Sequence, residues 1–376
     1  MDSYETKWAE TTMFSHITIF GIGIIGGSLC KAIRRTHPAV HLTGVDLPHV
    51  VQEIRKTQIV DRAESFDKLA SCCKSADLLV LATPIRQALE LLPDIAKHSI
   101  SQAVITDVCS LKTELVQTAE SLFSGENGWF VGGHPMAGSE HSGFRHADPF
   151  LFENTIYVLS PANNIPEEKT TALAKLVDSI GAQGIIVSPD VHDRLAAAVS
   201  HLPQMLAIAL MNYVAGKNDA NILHLKMAAG GFRDMTRIAS SPFTMWRDIC
   251  AGNRENITAE INGFINALQD LCNLLKGGEL EQAFDNAARN RLSIPKDTRG
   301  FLTRHFDLSV VVEDRPGVIA EIAVPLAECN INIKDIEVLK VRENEGGTIR
   351  LAFASAEKRK QARSLLESIG MVCQEK

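Results

Sequence analysis

The stretch His16-Ile17-Thr18-Ile19-Phe20-Gly21-Ile22-Gly23-Ile24-Ile25-Gly26-Gly27-Ser28 decides the fold. Its first part is dominated by β-branched and aromatic side chains and reads as a buried strand; glycines at G-x-G-x-x-G spacing then open a helix. Gly21 permits a tight turn, Gly23 lets the backbone approach a pyrophosphate, and Gly26 lets helix and strand pack closely. The helix start adds unpaired N–H groups and the positive end of a dipole, which suits phosphate oxygens. Asp46 ends the next strand-like run, twenty residues beyond Gly26. A carboxylate there accepts hydrogen bonds from a ribose 2′-hydroxyl and repels a 2′-phosphate, so the expected cofactor is NAD rather than NADP. The cofactor-binding set is Gly21, Ile22, Gly23, Ile24, Ile25, Gly26 and Asp46, joined by Thr83 and Pro84 at the end of the apolar run 77–84.

Outward from this unit, short apolar runs at 77–84, 103–110, 129–135, 154–160 and 182–188 alternate with amphipathic segments. Continuous apolar strands separated by helices imply an α/β fold, a Rossmann-type doubly wound parallel sheet covered on both faces, over residues 14–188. From 189 to 292 the strand patterns stop, and Ala/Leu/Met/Ile segments at helical spacing take over. Helices apolar on nearly every face need burial on nearly every side, so this all-helical domain is expected to form a homodimer. A polar linker follows at 293–303. Residues 304–376 return to strand periodicity in βαββα order, with Met371-Val372-Cys373 available as a fourth strand. That pattern reads as a ferredoxin-like βαββαβ module.

With 376 residues the chain has room for two or three cores. Acidic side chains outnumber basic ones by 45 to 38, and no dense Lys/Arg run occurs, which argues against nucleic acid as a partner. Eight cysteines without a C-x-x-C pair read as reduced thiols in a cytoplasmic protein. The first fourteen residues carry acids and lack the apolar stretch of a secretory signal. Leu195–Gly216 holds no charged residue, but it contains His201, Pro203, Gln204 and Asn212, so it reads as a buried core helix and not a membrane span.

Ligands of open α/β sheets sit beyond the carboxyl ends of the strands. Thr83-Pro84, Ser110 and His134 occupy three such ends. His134 exchanges a proton near neutrality without a large shift, and Ser110 is placed to orient its imidazole or to bond the substrate. The bland alternative for His134 is a structural histidine in a glycine-rich loop. His134, His141, His146 and Asp148 match no zinc spacing, so no metal is expected. The helical domain adds Ser200-His201-Leu202-Pro203-Gln204, then Gly230–Arg237 and Met245–Asp248. An arginine fork in these suits a substrate carboxylate; pairing with Asp234 and Asp248 inside a bundle or dimer is the competing reading.

Taken in order, GIGIIGGS, DLLVLATP, DVCSLK, GGHPMAGSE, SHLP, GGFRDMTRIA and MWRDI resemble the prephenate dehydrogenase family, and VVVEDRPGVIAEIA with NINIKDIEV resembles an ACT regulatory domain. The resemblance spans about 14 to 373. It implies NAD-dependent oxidative decarboxylation of prephenate to 4-hydroxyphenylpyruvate, a step in tyrosine biosynthesis. By motif, His134 accepts the ring-hydroxyl proton and Ser110 supports that hydroxyl. Arg237 binds the ring carboxylate with Asp234 orienting it, His201 lines the pocket, and Trp246 comes from the partner subunit. Many members carry a second histidine after SHLP where this chain has Gln204, which leaves arogenate as the alternative substrate. Two further alternatives are another NAD oxidoreductase of β-hydroxyacid type, which would need a lysine such as Lys226, and a non-catalytic sensor of NAD and an amino acid. In the ACT-like part, Asp314, Pro316, Gly317 and Val318 at a helix start, with Asn330 and Asn332, are expected to hold tyrosine between two paired modules and give feedback inhibition.

Overall fold

The computed structural model describes residues 14–138, 143–163, 165–217, 223–293, 306–313, 315–342 and 346–375. The chain forms two compact units divided between Ala287 and Ala288.

In the first unit, β1 (His16–Phe20), β2 (His41–Asp46), β3 (Arg62–Ser65), β4 (Leu78–Leu81), β5 (Val104–Asp107), β6 (Trp129–Pro135), β7 (Ile156–Pro161) and β8 (Gln183–Ile186) make one sheet. Their order is β3-β2-β1-β4-β5-β6-β7-β8. Strand side chains alternate in direction, so each apolar strand feeds two cores. Ile17, Ile19, Leu78 and Val80 enter the core on one face, and Phe20, Leu79 and Leu81 the core on the other. This is the Rossmann-type doubly wound sheet that the apolar runs imply. The chain leaves β1 toward β2 on one side and returns to β4 on the other, which opens a crevice beyond their carboxyl ends.

Two features differ from the sequence expectation. β3 is a four-residue edge strand, Arg-Ala-Glu-Ser, whose charged side chains hide its pairing with β2 from any hydrophobic pattern. β7 runs antiparallel to β6. Among the described residues between them, 136–138 and 143–155, the regular structure is a 3₁₀ turn, Phe144–His146, and no crossover helix is present to return the chain in parallel.

The helical part starts with a continuous helix, Pro189–Ala215, interrupted by a π-helical turn at Ala197–His201. Pro203 lies just beyond and has no N–H to give to the preceding turn, which accounts for the irregularity. By length and composition this helix could cross a membrane, yet it is not the buried core helix expected either: only 28% of its most apolar window is buried. Leu195, Val199 and Tyr213 are exposed on it, as are Phe243, Leu268 and Phe284 on later helices. One chain has too little of its own mass around these helices to cover them. The residues that are buried include polar ones, His192, Asp193, His201, Gln204 and Asn253.

The second unit contains β9 (Phe306–Val312), β10 (Asp335–Arg342), β11 (Gly346–Phe353) and β12 (Val372–Glu375) in the order β10-β11-β9-β12, all antiparallel. Helices Val318–Glu328 and Ala356–Ser368 bury Ile322, Leu326, Ala362 and Leu366 against Leu308, Val310 and Leu351. This is the ferredoxin-like βαββαβ module, with Val372 and Cys373 in its fourth strand. The linker residues 294–303 lie outside the described residues.

Candidate active site

At the β1 turn, Gly21 has φ of +92°, and a Cβ there would sit 2.6 Å from the carbonyl oxygen of Ala82 at the end of β4. A Cβ on Gly26 would collide with the Gly21 carbonyl, whereas one on Gly23 would meet no protein atom within 4 Å. The turn is therefore closed toward the sheet and open at Gly23, the side on which a pyrophosphate would approach. Asp46 completes the cradle. Its carboxylate accepts from the Ile22 N–H at 2.5 Å and from the Leu47 N–H at 2.6 Å, which locks the turn and leaves lone pairs for hydroxyl donors. Thr83, just past β4, buries its Oγ1 without a protein partner among the described residues. An open glycine, a carboxylate at the neighbouring strand end and an unsatisfied hydroxyl fit a dinucleotide such as NAD.

The adjacent strand ends build a second layer. Asp107 at the end of β5 and Lys112 form an ion pair with both side chains fully buried. Asp107 also accepts from the Gly133 N–H at 3.0 Å and the Cys109 N–H at 2.8 Å, which ties β5 to β6 directly beneath His134. The His134 Nδ1 lies 2.8 Å from His192 Nε2, and His192 Nδ1 lies 2.8 Å from Asp193 Oδ1. Asp193 in turn accepts the Lys112 and Thr113 N–H groups, each at 2.9 Å, at the start of helix Thr113–Leu122. The Asn253 amide donates to the Asp193 carbonyl oxygen at 2.7 Å and reaches His201 Nδ1 at 3.2 Å. Trp246 lies edge-on to the His201 ring at 5.8 Å, with its Nε1 buried and without a hydrogen-bond partner among the described residues.

Electrostatics follow from this geometry. Burial pushes the His134 imidazole well below its usual pKa, and the positive charges possible at His192, Lys112 and His201 add to the effect. Burial likewise brings His201 down to about 4, only partly opposed by Asp193. For Asp193, burial pushes upward, but the hydrogen bonds from His192, Thr113 and Lys112 outweigh it and hold the carboxyl below its ordinary range. The shift keeps the His134 imidazole neutral and free to accept a proton, but places its exchange below the near-neutral range expected from the sequence, because burial and nearby positive charge disfavour the imidazolium.

The structure thus gathers His134, His201 and Trp246 around the strand ends. Trp246 meets His201 within its own chain. The ring of His134 is held by His192, while Ser110, half-buried after β5, makes no hydrogen bond to it among the described residues. Gln204 is buried and donates to the Ile238 carbonyl at 3.0 Å, which anchors the 3₁₀ turn Arg237–Ser240. Arg237 and Asp234 are exposed. Arg247 pairs with Asp248 at 3.2 Å, and Asp248 also takes Arg86 at 2.9 Å, so part of the arginine cluster is structural. His192, Asp193, Asn253, Asp107 and Lys112 were not singled out from the sequence. The visible signal was the pair His192-Asp193 at the start of the first helix after β8, where a chain crosses back over the strand ends.

In the second unit, Pro316, Gly317 and Val318 line a cavity of about 340 Å³ together with Val312, Arg315 and Val338. Asp314 lies outside the described residues, as does His141. Asn330 has φ of +56° just past its helix, and its N–H bonds back to the Ala327 carbonyl at 2.9 Å, so its type is explained by a left-handed cap. Asn332 is exposed, and neither asparagine lines the cavity of its own module.

Comparison with known proteins gives concordant results. Residues 29–186 match the family described as prephenate dehydrogenase, nucleotide-binding domain; 188–288 match prephenate dehydrogenase, dimerization domain; and 306–370 match the ACT domain. The prephenate dehydrogenase of Bacillus subtilis is 35% identical over 94% of this chain and 95% of its own length. Prephenate dehydrogenase from A. aeolicus, solved with hydroxyphenyl propionate and NAD+, is 29% identical with a TM-score of 0.69, over 75% of this chain and 98% of that one. Synechocystis arogenate dehydrogenase is 29% identical with a TM-score of 0.67, over 74% of this chain and 100% of that one.

Proposed function

The chain belongs to the prephenate dehydrogenase family, and on that premise we propose that it converts prephenate to 4-hydroxyphenylpyruvate, carbon dioxide and NADH. NAD, when bound, accepts hydride from the ring carbon that carries the hydroxyl. The observation that carries the reading is His134: a half-buried imidazole, held neutral by its surroundings, at a strand end next to the dinucleotide cradle. His134 takes the hydroxyl proton as that carbon becomes a carbonyl, and loss of the ring carboxylate as carbon dioxide then leaves an aromatic ring. The chain's main tasks are to place the substrate and remove one proton. Ser110 bonds the same hydroxyl, and His201 and Trp246 line the pocket. Arg237, on the turn anchored by Gln204, binds the ring carboxylate, with Asp234 orienting its fork. Gln204 favours a second reading: a neutral amide in the place of a histidine also tolerates the amino-acid side chain of arogenate, the substrate named for the Synechocystis relative. A spectrophotometric assay of NADH formation, with prephenate and then arogenate, tests both; no reduction with either acid refutes the activity.

The regulatory reading is tyrosine bound at the Pro316–Val318 helix start, with Asn330 and Asn332 supplied by a paired module. The cavity of about 340 Å³ supports it in size, and its apolar wall suits an aromatic ring. Removing 304–376 is expected to leave activity and abolish tyrosine inhibition; inhibition unchanged by the deletion would move the effector to the catalytic pocket. The protein acts as a cytoplasmic homodimer in this reading. The uncovered apolar helices support the dimer, and eight free cysteines support a reducing compartment.

A further inference from the structure

We infer that His192, fixed by Asp193, is a positioning residue that selects the ring tautomer of His134 and so aims the base lone pair at the substrate hydroxyl. This rests on the proposed activity for its kinetic consequence, but not for its geometry. An ionised carboxylate only accepts hydrogen bonds, so the 2.8 Å contact requires the His192 proton on Nδ1. In the neutral ring, His192 Nε2 is then an acceptor. The 2.8 Å contact with His134 is made only if His134 Nδ1 carries the proton, which leaves His134 Nε2 bare. The opposite tautomer of His134 would set two lone pairs against each other in a partly buried contact, at the cost of an unmade hydrogen bond on both rings.

The start of the relay cannot readily turn. Asp193 Oδ1 also holds the Lys112 N–H, Oδ2 holds the Thr113 N–H, and Asn253 grips the Asp193 carbonyl oxygen. The other titratable groups acting on His134 are Lys112, whose ammonium is committed to Asp107, and His201. Neither occupies Nδ1. When the hydroxyl proton moves to His134 Nε2, the cationic ring still donates from Nδ1 to His192, and a charge-assisted hydrogen bond is the stronger kind. The proton stays on His134 until it returns to the phenolate oxygen or to water, so no proton has to cross to His192.

The test combines kinetics with spectroscopy. His192→Phe is expected to lower kcat by about 10²-fold or more while the KM of either substrate moves less than about threefold. His192→Gln offers an amide oxygen to His134 Nδ1 and is expected to recover about tenfold of that loss. A Phe variant with kcat within about threefold of the unmodified enzyme, or a Gln variant no better than Phe, overturns the proposal. Independently, the ¹⁵N spectrum of histidine-labelled full-length protein should show His134 protonated on Nδ1; protonation on Nε2 overturns the proposal whatever the kinetics. If that spectrum is as expected but neither prephenate nor arogenate reduces NAD, the activity falls and the tautomer assignment stands.

Discussion

Replacing Lys112 with Met removes one half of an ion pair whose two side chains are fully buried. The Asp107 carboxylate would keep its bonds from Gly133 and Cys109 but lose the Lys112 ammonium, the cation paired with it among the described residues, in a site closed to water. Breaking a buried pair from one side typically costs about 3–5 kcal/mol, because an uncompensated charge stays behind. The Gly133 amide reports this locally, since its N–H is bound to Asp107. A loss of about 3 kcal/mol in the opening free energy corresponds to roughly a 10²-fold loss of hydrogen-exchange protection there. Asp107→Asn together with Lys112→Met removes the stranded charge and should restore at least about half of the loss, measured as a double-mutant cycle. A second readout has a defined sign. Lys112 helps hold the His134 imidazole down, so its removal should raise that pKa and move the acid limb of kcat/KM to higher pH. A Lys112→Met protein with less than about 1 kcal/mol of destabilisation, or with an unmoved acid limb, would refute the view that this pair supports the site.

Further outcomes follow from other contacts. Gly23→Ala meets no protein atom and should leave stability within about 0.5 kcal/mol while weakening NAD binding in a titration, whereas Gly26→Ala should unfold or distort the β1 turn. His201 falls from an ordinary value of 6.5 to about 4 on folding, so the unfolded chain binds its proton first. Stability from this group is present above 6.5 and lost as pH falls toward 4, by up to about 3 kcal/mol; denaturant titrations of His201→Gln against the unmodified protein should show a flatter acid limb. Arg237→Ala should raise KM for prephenate more than it lowers kcat, and His134→Ala should do the reverse, in steady-state kinetics.

The fold was largely legible because its signals are local. The glycine spacing, the apolar strands and the return of strand periodicity after 304 each reflect what one short segment must bury. Not legible were β3, polar because it closes an edge, and the antiparallel direction of β7, which depends on tertiary pairing with β6 and not on a pattern within either strand. Among site residues, Asp46 and His134 were found because they end strands. Asp193 was missed because its partners, the N–H groups of Lys112 and Thr113, lie some eighty positions earlier in the chain.

Sequence by itself determined that this chain carries a dinucleotide turn with a carboxylate at the end of the next strand, an apolar helical region and a small α+β module. These properties depend on residue type within a few turns of helix or strand. Only the tertiary structure decided that His134 is gripped by His192, that Gln204 anchors the Arg237 turn, and that Trp246 meets His201 within one chain. Hydrogen bonds act over about 3 Å, and no periodicity along the chain reports which distant residues come that close.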